Sequence, residues 1–182
     1  MELRQMSKGD ADLKTVRDIF LEAFPKVERP PFRVLTRKLG TGMAELWGVY
    51  DAGKLMGFAE VILSDTAVYL FFLAMHRDCR GKGHGGFTVR ELIKKYAGKK
   101  FFLALESLTE EGADNMEERI RRHGFYTRQG LHDLPVQLRE GGVTFDAMGV
   151  GEAPTKAEYE GMMRRFTGWY HLFVGFELLE RA

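Results

Sequence analysis

The feature that most constrains this chain is a stretch of bare backbone set between a strand and a helix. Val68 to Met75 is apolar and rich in β-formers, and Arg80-Gly81-Lys82-Gly83-His84-Gly85-Gly86 follows it. Phe87 to Ala97 then places Val89, Leu92, Ile93 and Tyr96 on one helical face before Gly98. Glycines at 81, 83, 85 and 86 permit positive φ angles and let a ligand approach the main chain directly. The helix behind them offers unpaired N–H groups and the positive end of its dipole, a ready anion site. Several amides acting together suit a pyrophosphate, although the same glycines also suit a plain mobile turn.

The flanking elements define the fold class. Leu46–Tyr50, Leu55–Leu63 and Val68–Met75 are strand candidates joined by the short connections Asp51-Ala52-Gly53-Lys54 and Ser64-Asp65-Thr66-Ala67, which predicts an antiparallel meander. Phe101–Leu105 is almost wholly apolar, as a central strand beside a parallel neighbour would be. With the helix before it, this strand completes a βαβ unit. Helices are predicted over Asp10–Phe24, Arg33–Leu39, Glu110–Tyr126 and Glu158–Phe173, and weaker strands over Val136–Leu138 and Val143–Met148. The expectation is one mixed α/β domain over residues 1–182, with 151–182 a C-terminal helical extension.

Bulk properties exclude several classes. Lys plus Arg number 27 against 26 Asp plus Glu, a net charge of +1, with no basic stripe for nucleic acid and no basic amphipathic helix for a membrane surface. The single cysteine, Cys79, cannot close an intramolecular disulfide. Met1–Met6 lacks the apolar run of a signal peptide and no segment is apolar enough to span a bilayer, so the cytoplasm is the expected location. The five histidines show no metal-ligand spacing, so no metal is expected. Neither a G-x-S-x-G elbow nor a G-x-x-x-x-G-K-[ST] phosphate loop occurs.

Two fingerprints fit the loop. Gly81-x-Gly83-x-x-Gly86 satisfies the dinucleotide pattern, with Glu106 about 20 residues on as a ribose-binding acid. Arg80-x-x-Gly83-x-Gly85 resembles the acyl-CoA loop of the GNAT superfamily of acetyl-CoA-dependent N-acetyltransferases. Context favours the second: Met75 to Arg80 separates strand from glycine, and an antiparallel meander comes first. The resemblance runs through Leu73-Ala74-Met75-His76-Arg77-Asp78-Cys79, although Arg77 stands where the family often has proline, and through Gly124-Phe125-Tyr126. Ala23-Phe24-Pro25 and Glu28-Arg29-Pro30-Pro31-Phe32 are similar to a subgroup of bacterial members with uncharacterised acceptors.

The resemblance implies a GNAT-like fold: a mixed, mostly antiparallel sheet of roughly six to seven strands, a central parallel pair that splays, and flanking helices. It implies acetyl-CoA as co-substrate, its pyrophosphate on the main chain of Arg80, Gly81, Lys82, Gly83, His84, Gly85 and Gly86, and its pantetheine arm paired with Leu73 and Met75. Asn115 and Arg119 share a helix face with Tyr126 and are placed to touch the cofactor. Tyr126 is the candidate general acid for the departing thiolate. Family members often carry Glu or His on the strand ahead of the loop, but Tyr69-Leu70-Phe71-Phe72 has neither. Glu106 is then the candidate base, with Glu60, His76 or a water chain as alternatives.

The expected activity is transfer of acetyl to a primary amine of a small molecule or peptide, by direct attack in a ternary complex. A non-catalytic acyl-CoA-binding module and an NAD-dependent oxidoreductase are the alternatives. The resemblance puts the acceptor side at Phe24–Phe32, and Trp169, Tyr170 and Phe173 are candidates for packing within the domain or in a homodimer.

Overall fold

The computed structural model describes residues 1–25, 29–110, 112–172 and 174–181, so Glu28 of the expected acceptor segment and Phe173 at the expected end of the last helix lie outside the described residues. The elements are β1 (Glu2–Met6), α1 (Leu13–Ala23), α2 (Phe32–Arg37), β2 (Ala44–Asp51), β3 (Lys54–Leu63), β4 (Ala67–Met75), α3 (His84–Lys95), β5 (Lys100–Glu106), α4 (Met116–Thr127), β6 (His132–Glu140), β7 (Val143–Val150), α5 (Lys156–Thr167) and β8 (Phe176–Glu180). The strands hydrogen-bond in the order β1-β2-β3-β4-β5-β7-β6-β8. This is the expected class, a mixed sheet with one parallel pair, built from eight strands. The chain divides into two compact units, residues 1–63 with 70–95 and residues 64–69 with 96–182.

In the first unit β1 pairs antiparallel with β2, Glu2 opposite Tyr50 to Met6 opposite Leu46. Its Glu-Leu-Arg-Gln-Met sequence is too polar to announce a strand, because this edge strand buries only Met6. The β2–β3 hairpin turns where Ala52 (φ 47°) and Gly53 (φ 75°) both take left-handed angles, as a two-residue hairpin turn of the observed hand demands. One face of the unit is an aromatic core. Val16, Ile19 and Phe20 of α1 and Leu35 of α2 meet Leu46, Phe58, Phe72 and Ala74, with Phe20 edge-on to Phe72 at 5.2 Å. Burying one such side chain contributes roughly 1.5–3 kcal/mol.

In the second unit Ala67, Val68 and Tyr69 pair parallel with Lys100, Phe101 and Phe102. β5 pairs antiparallel with β7 from Phe101 opposite Val150 to Glu106 opposite Phe145. Tyr69 stacks on Phe102 at 4.9 Å. Both the Tyr69 and Tyr159 hydroxyls donate to Oε1 of the half-buried Glu140, at 2.7 and 2.5 Å. Desolvation raises its pKa, and the two hydrogen bonds only partly oppose that.

The segment 151–182 departs from the expected helical extension. The helix stops at Thr167, where Gly168 takes φ 60°, and a 3-10 turn spans Gly168–Leu172. Then β8 adds to the sheet beside β6, Val136 opposite Glu180 and Glu140 opposite Phe176. A five-residue strand that itself contains Glu177 and Glu180 leaves almost no periodic signal, which is why the sequence does not reveal it. Among the described residues no helix is long and apolar enough to cross a membrane.

Candidate active site

The loop grows out of β4. A 3-10 turn at Arg77–Cys79 follows Met75, with the Asp78 amide donating to His76 Nδ1 at 3.3 Å. His76 is therefore a cap on that turn. Gly81 and Gly83 sit at φ 75° and 86°, angles that L side chains rarely adopt, and a Cβ at either would meet no atom within 4 Å. Backbone conformation, and not crowding, demands glycine here. α3 begins at His84, earlier than the expected Phe87, so Gly85 and Gly86 form its first turn. The first closing bond runs from the Phe87 amide to the Gly83 carbonyl at 3.0 Å. The amides ahead of it belong to the class that has no intrahelical acceptor.

The loop is held from several sides. His84 is buried; its Nδ1 lies 3.3 Å from the Cys79 carbonyl and its Nε2 3.2 Å from Asp51 Oδ2. The hydrogen bond from His84 is the main reason that the Asp51 carboxyl titrates below its ordinary value. Arg80 Nε donates to the Met75 carbonyl at 3.2 Å, and Lys82 Nζ donates to the Asp78 carbonyl at 2.8 Å. Leu73 and Met75 lie on the half of β4 outside the parallel ladder, which engages Ala67 to Tyr69. The inward role of His84 is absent from the sequence reading, because its partner Asp51 is remote in the chain.

Glu60 on β3 is 0 % exposed, and neither carboxyl oxygen has a hydrogen-bond partner among the described residues. Burial pushes its pKa up to about 8. Strand alternation puts it on the face of Phe58, and its register partner Leu46 belongs to the aromatic core.

The second unit gathers a polar cluster at the carboxyl end of β5. Glu106 accepts from Asn115 Nδ2 at 2.8 Å and from Arg122 at 2.7 Å, and lies 3.6 Å from Arg119 Nε. Arg119 also donates to Asn115 Oδ1, the Ser107 carbonyl and Glu110. The structure thus joins Asn115 and Arg119 to Glu106 as one network. α4 starts at Met116, later than the expected Glu110, and Asn115 at the position before it makes no side-chain capping bond. Tyr126 lies in the last turn of α4, packed on Phe125 at 4.9 Å. Desolvation pushes its hydroxyl up to about 12 against the opposing charge of Arg122, so it carries its proton throughout the neutral range.

A cleft of about 480 Å³ in the first unit is lined by Met1 to Leu3, Trp47 and the Phe87, Glu91 and Lys95 face of α3, and includes none of residues 80–86. No cluster of His, Cys, Asp and Glu able to hold a metal occurs among the described residues.

No curated protein matches the sequence. Among solved structures, a GNAT-family protein of Bacteroides thetaiotaomicron superposes with a TM-score of 0.69 at 20% identity, covering 93% of this chain and 97% of its own. An acetyltransferase of Bacillus subtilis in complex with CoA gives 0.59 at 12% identity, covering 84% and 99%. A spermidine N-acetyltransferase of Vibrio cholerae, the SpeG F149G mutant, gives 0.60 at 18% identity, covering 82% and 92%. The profile of the acetyltransferase (GNAT) family matches residues 13–131, which takes in α1 through the Gly81–Gly86 loop to Tyr126. The chain belongs to the GNAT acetyltransferase family and is an acyltransferase.

Proposed function

We propose that this protein transfers acetyl from acetyl-CoA to a primary amine by direct attack in a ternary complex. The observation that carries the reading is the pair of left-handed glycines, 81 and 83, delivering the chain into the first turn of α3. A diphosphate lies along the amides of residues 81 to 86, where the helix dipole supports its charge. Arg80 and Lys82, whose side chains bond to carbonyls of the same loop, keep that loop in shape.

The pantetheine arm pairs with the backbone of Leu73 and Met75, a reading supported by a parallel ladder that ends at Tyr69, short of both residues. A backbone N–H near Met75 polarises the thioester carbonyl as an oxyanion donor. Attack of the amine forms the C–N bond and breaks the C–S bond. The expelled CoA thiolate takes a proton from the Tyr126 hydroxyl, and the proton lost by the new amide nitrogen restores that hydroxyl through solvent. Burial keeps that hydroxyl protonated at neutral pH, so its proton is present to be given, and the charge developing on sulfur is what draws it off. Asn115 and Arg119, bonded to each other at 2.7 Å, border the cofactor. Glu106 orders those two groups; as a base it would first have to leave Arg122, a charge-assisted partner at 2.7 Å.

The acceptor is an amine of a small molecule or peptide, in keeping with the spermidine N-acetyltransferase among the structural neighbours. The test is thiol release from acetyl-CoA across a panel of amines, with mass-spectrometric detection of the amide. Amine-dependent release supports the reading. Binding of acetyl-CoA without turnover of any amine would favour a non-catalytic module.

A further inference from the structure

We infer that the Glu60 carboxylate is the site that receives the ammonium group of the acyl acceptor, an inference that rests on the acetyltransferase reading above. Glu60 is wholly buried and both of its oxygens are unpartnered among the described residues. A buried carboxyl without a hydrogen-bond donor is costly, and such groups persist where something that binds there compensates them. Burial is also the one influence on its ionisation, so no guanidinium or ammonium among the described residues already serves it. The compensating group must bring both charge and N–H donors, which an ammonium does and an alcohol does not.

The surroundings describe the rest of the acceptor. Phe58 and Ile62 lie on the same face of β3 as Glu60, and Leu46 lies across from it. Phe20 and Phe72 complete the buried layer, while Phe24, Phe32 and Phe71 are half-buried against it. Phe24 lies 4.9 Å from Phe72 and Phe32 5.8 Å from Phe20, ring to ring. The acceptor that fits is an ammonium on an apolar or aromatic body.

The proton balance is definite. In the free protein Glu60 holds a proton at neutral pH; an entering ammonium favours the carboxylate, and that proton leaves to solvent. During turnover the carboxylate takes one proton from the ammonium. The N–H bond breaks, its electron pair stays on nitrogen as the attacking lone pair, and an O–H bond forms on Glu60.

The test titrates benzylammonium chloride, with benzyl alcohol as the uncharged control, into wild type, E60Q and E60L. Calorimetry at pH 7 in two buffers of different ionisation enthalpy counts the protons. Wild type should bind benzylammonium with release of about one proton, the linkage expected of one shifted group. In both variants binding should weaken roughly tenfold or more, as loss of a charge-assisted hydrogen bond implies, and proton release should vanish. Benzyl alcohol should bind all three proteins alike. Wild-type affinity and proton count retained in folded E60Q and E60L, or no binding of benzylammonium to wild type, would overturn the inference. Acetyl-CoA titrated into the same samples keeps the two readings apart. Absence of cofactor binding with the ammonium effect intact removes the acetyltransferase reading alone, and the reverse pattern removes the Glu60 assignment alone.

Discussion

Glu60 shows how one residue can set the pH response of a fold. Its carboxyl ionises near 4.5 when unfolded and near 8 when buried, so between those values the folded state holds the extra proton. Stability then falls as pH rises through that window, because the folded state binds more protons than the unfolded one. Replacing Glu60 with Gln removes this dependence. E60Q should be more stable than wild type at pH 8, by on the order of a few kcal/mol, and gain far less at pH 4.5; urea denaturation at the two pH values measures both. Tyr126 carries a separate prediction. Tyr126→Phe should lower kcat by about 10²-fold, the usual contribution of a positioned acid, and leave acetyl-CoA affinity unchanged; full turnover in the variant would remove Tyr126 from the mechanism. At this scale the sequence revealed residue types but not partners. Glu60 was visible as an acid on a strand, yet its isolation depends on which side chains pack above it. Glu106 looked available at a strand end, and only folding brings Asn115 and Arg122 onto it.

Elements were legible where their periodicity was long. The helices α1 and α3 and the β2–β4 meander follow from apolar spacing and turn residues, with shifts of a few positions at their ends. β1 and β8 were illegible because edge strands of five residues bury too few side chains to print a pattern. α5 begins with a signal that sequence does carry, Thr155-Lys-Ala-Glu158, and the structure closes it as a capping box. Glu158 further accepts from Thr66 Oγ1 at 2.6 Å and Lys100 Nζ at 2.9 Å. Desolvation opposes ionisation there, but the bonds from Thr155, Thr66 and Lys100 outweigh it and hold the carboxyl down to about 2. Because this pKa is depressed on folding, its contribution is present above about 4.5 and is lost as pH falls toward 2. Glu158→Gln should cost roughly 1–2 kcal/mol at pH 7 after allowance for partial exposure, and the difference from wild type should shrink in denaturation measured near pH 3.

For the whole molecule, the topology was readable from an order of elements: a meander, a glycine turn, a helix and an apolar strand. A dinucleotide fold would require the first glycine to follow its strand directly, whereas a 3-10 turn at Arg77–Cys79 intervenes and the sheet is largely antiparallel. Of the two compact units, one holds the Gly81–Gly86 loop and Glu60, and the other holds Tyr126 and the Glu106 network. In the reading proposed above, the main chain from Gly81 into α3 binds the diphosphate of acetyl-CoA. Calorimetric titration of acetyl-CoA into wild type and Gly83→Val tests it most directly. A Cβ at Gly83 meets no atom within 4 Å, so the variant should fold with only the modest cost of a left-handed valine, roughly 1–2 kcal/mol. Its side chain would then stand where the diphosphate must approach. One acetyl-CoA bound per wild-type chain, with no detectable binding to a folded Gly83→Val, is the predicted result; equal binding by the two proteins, or binding of NADH in place of acetyl-CoA, would contradict it.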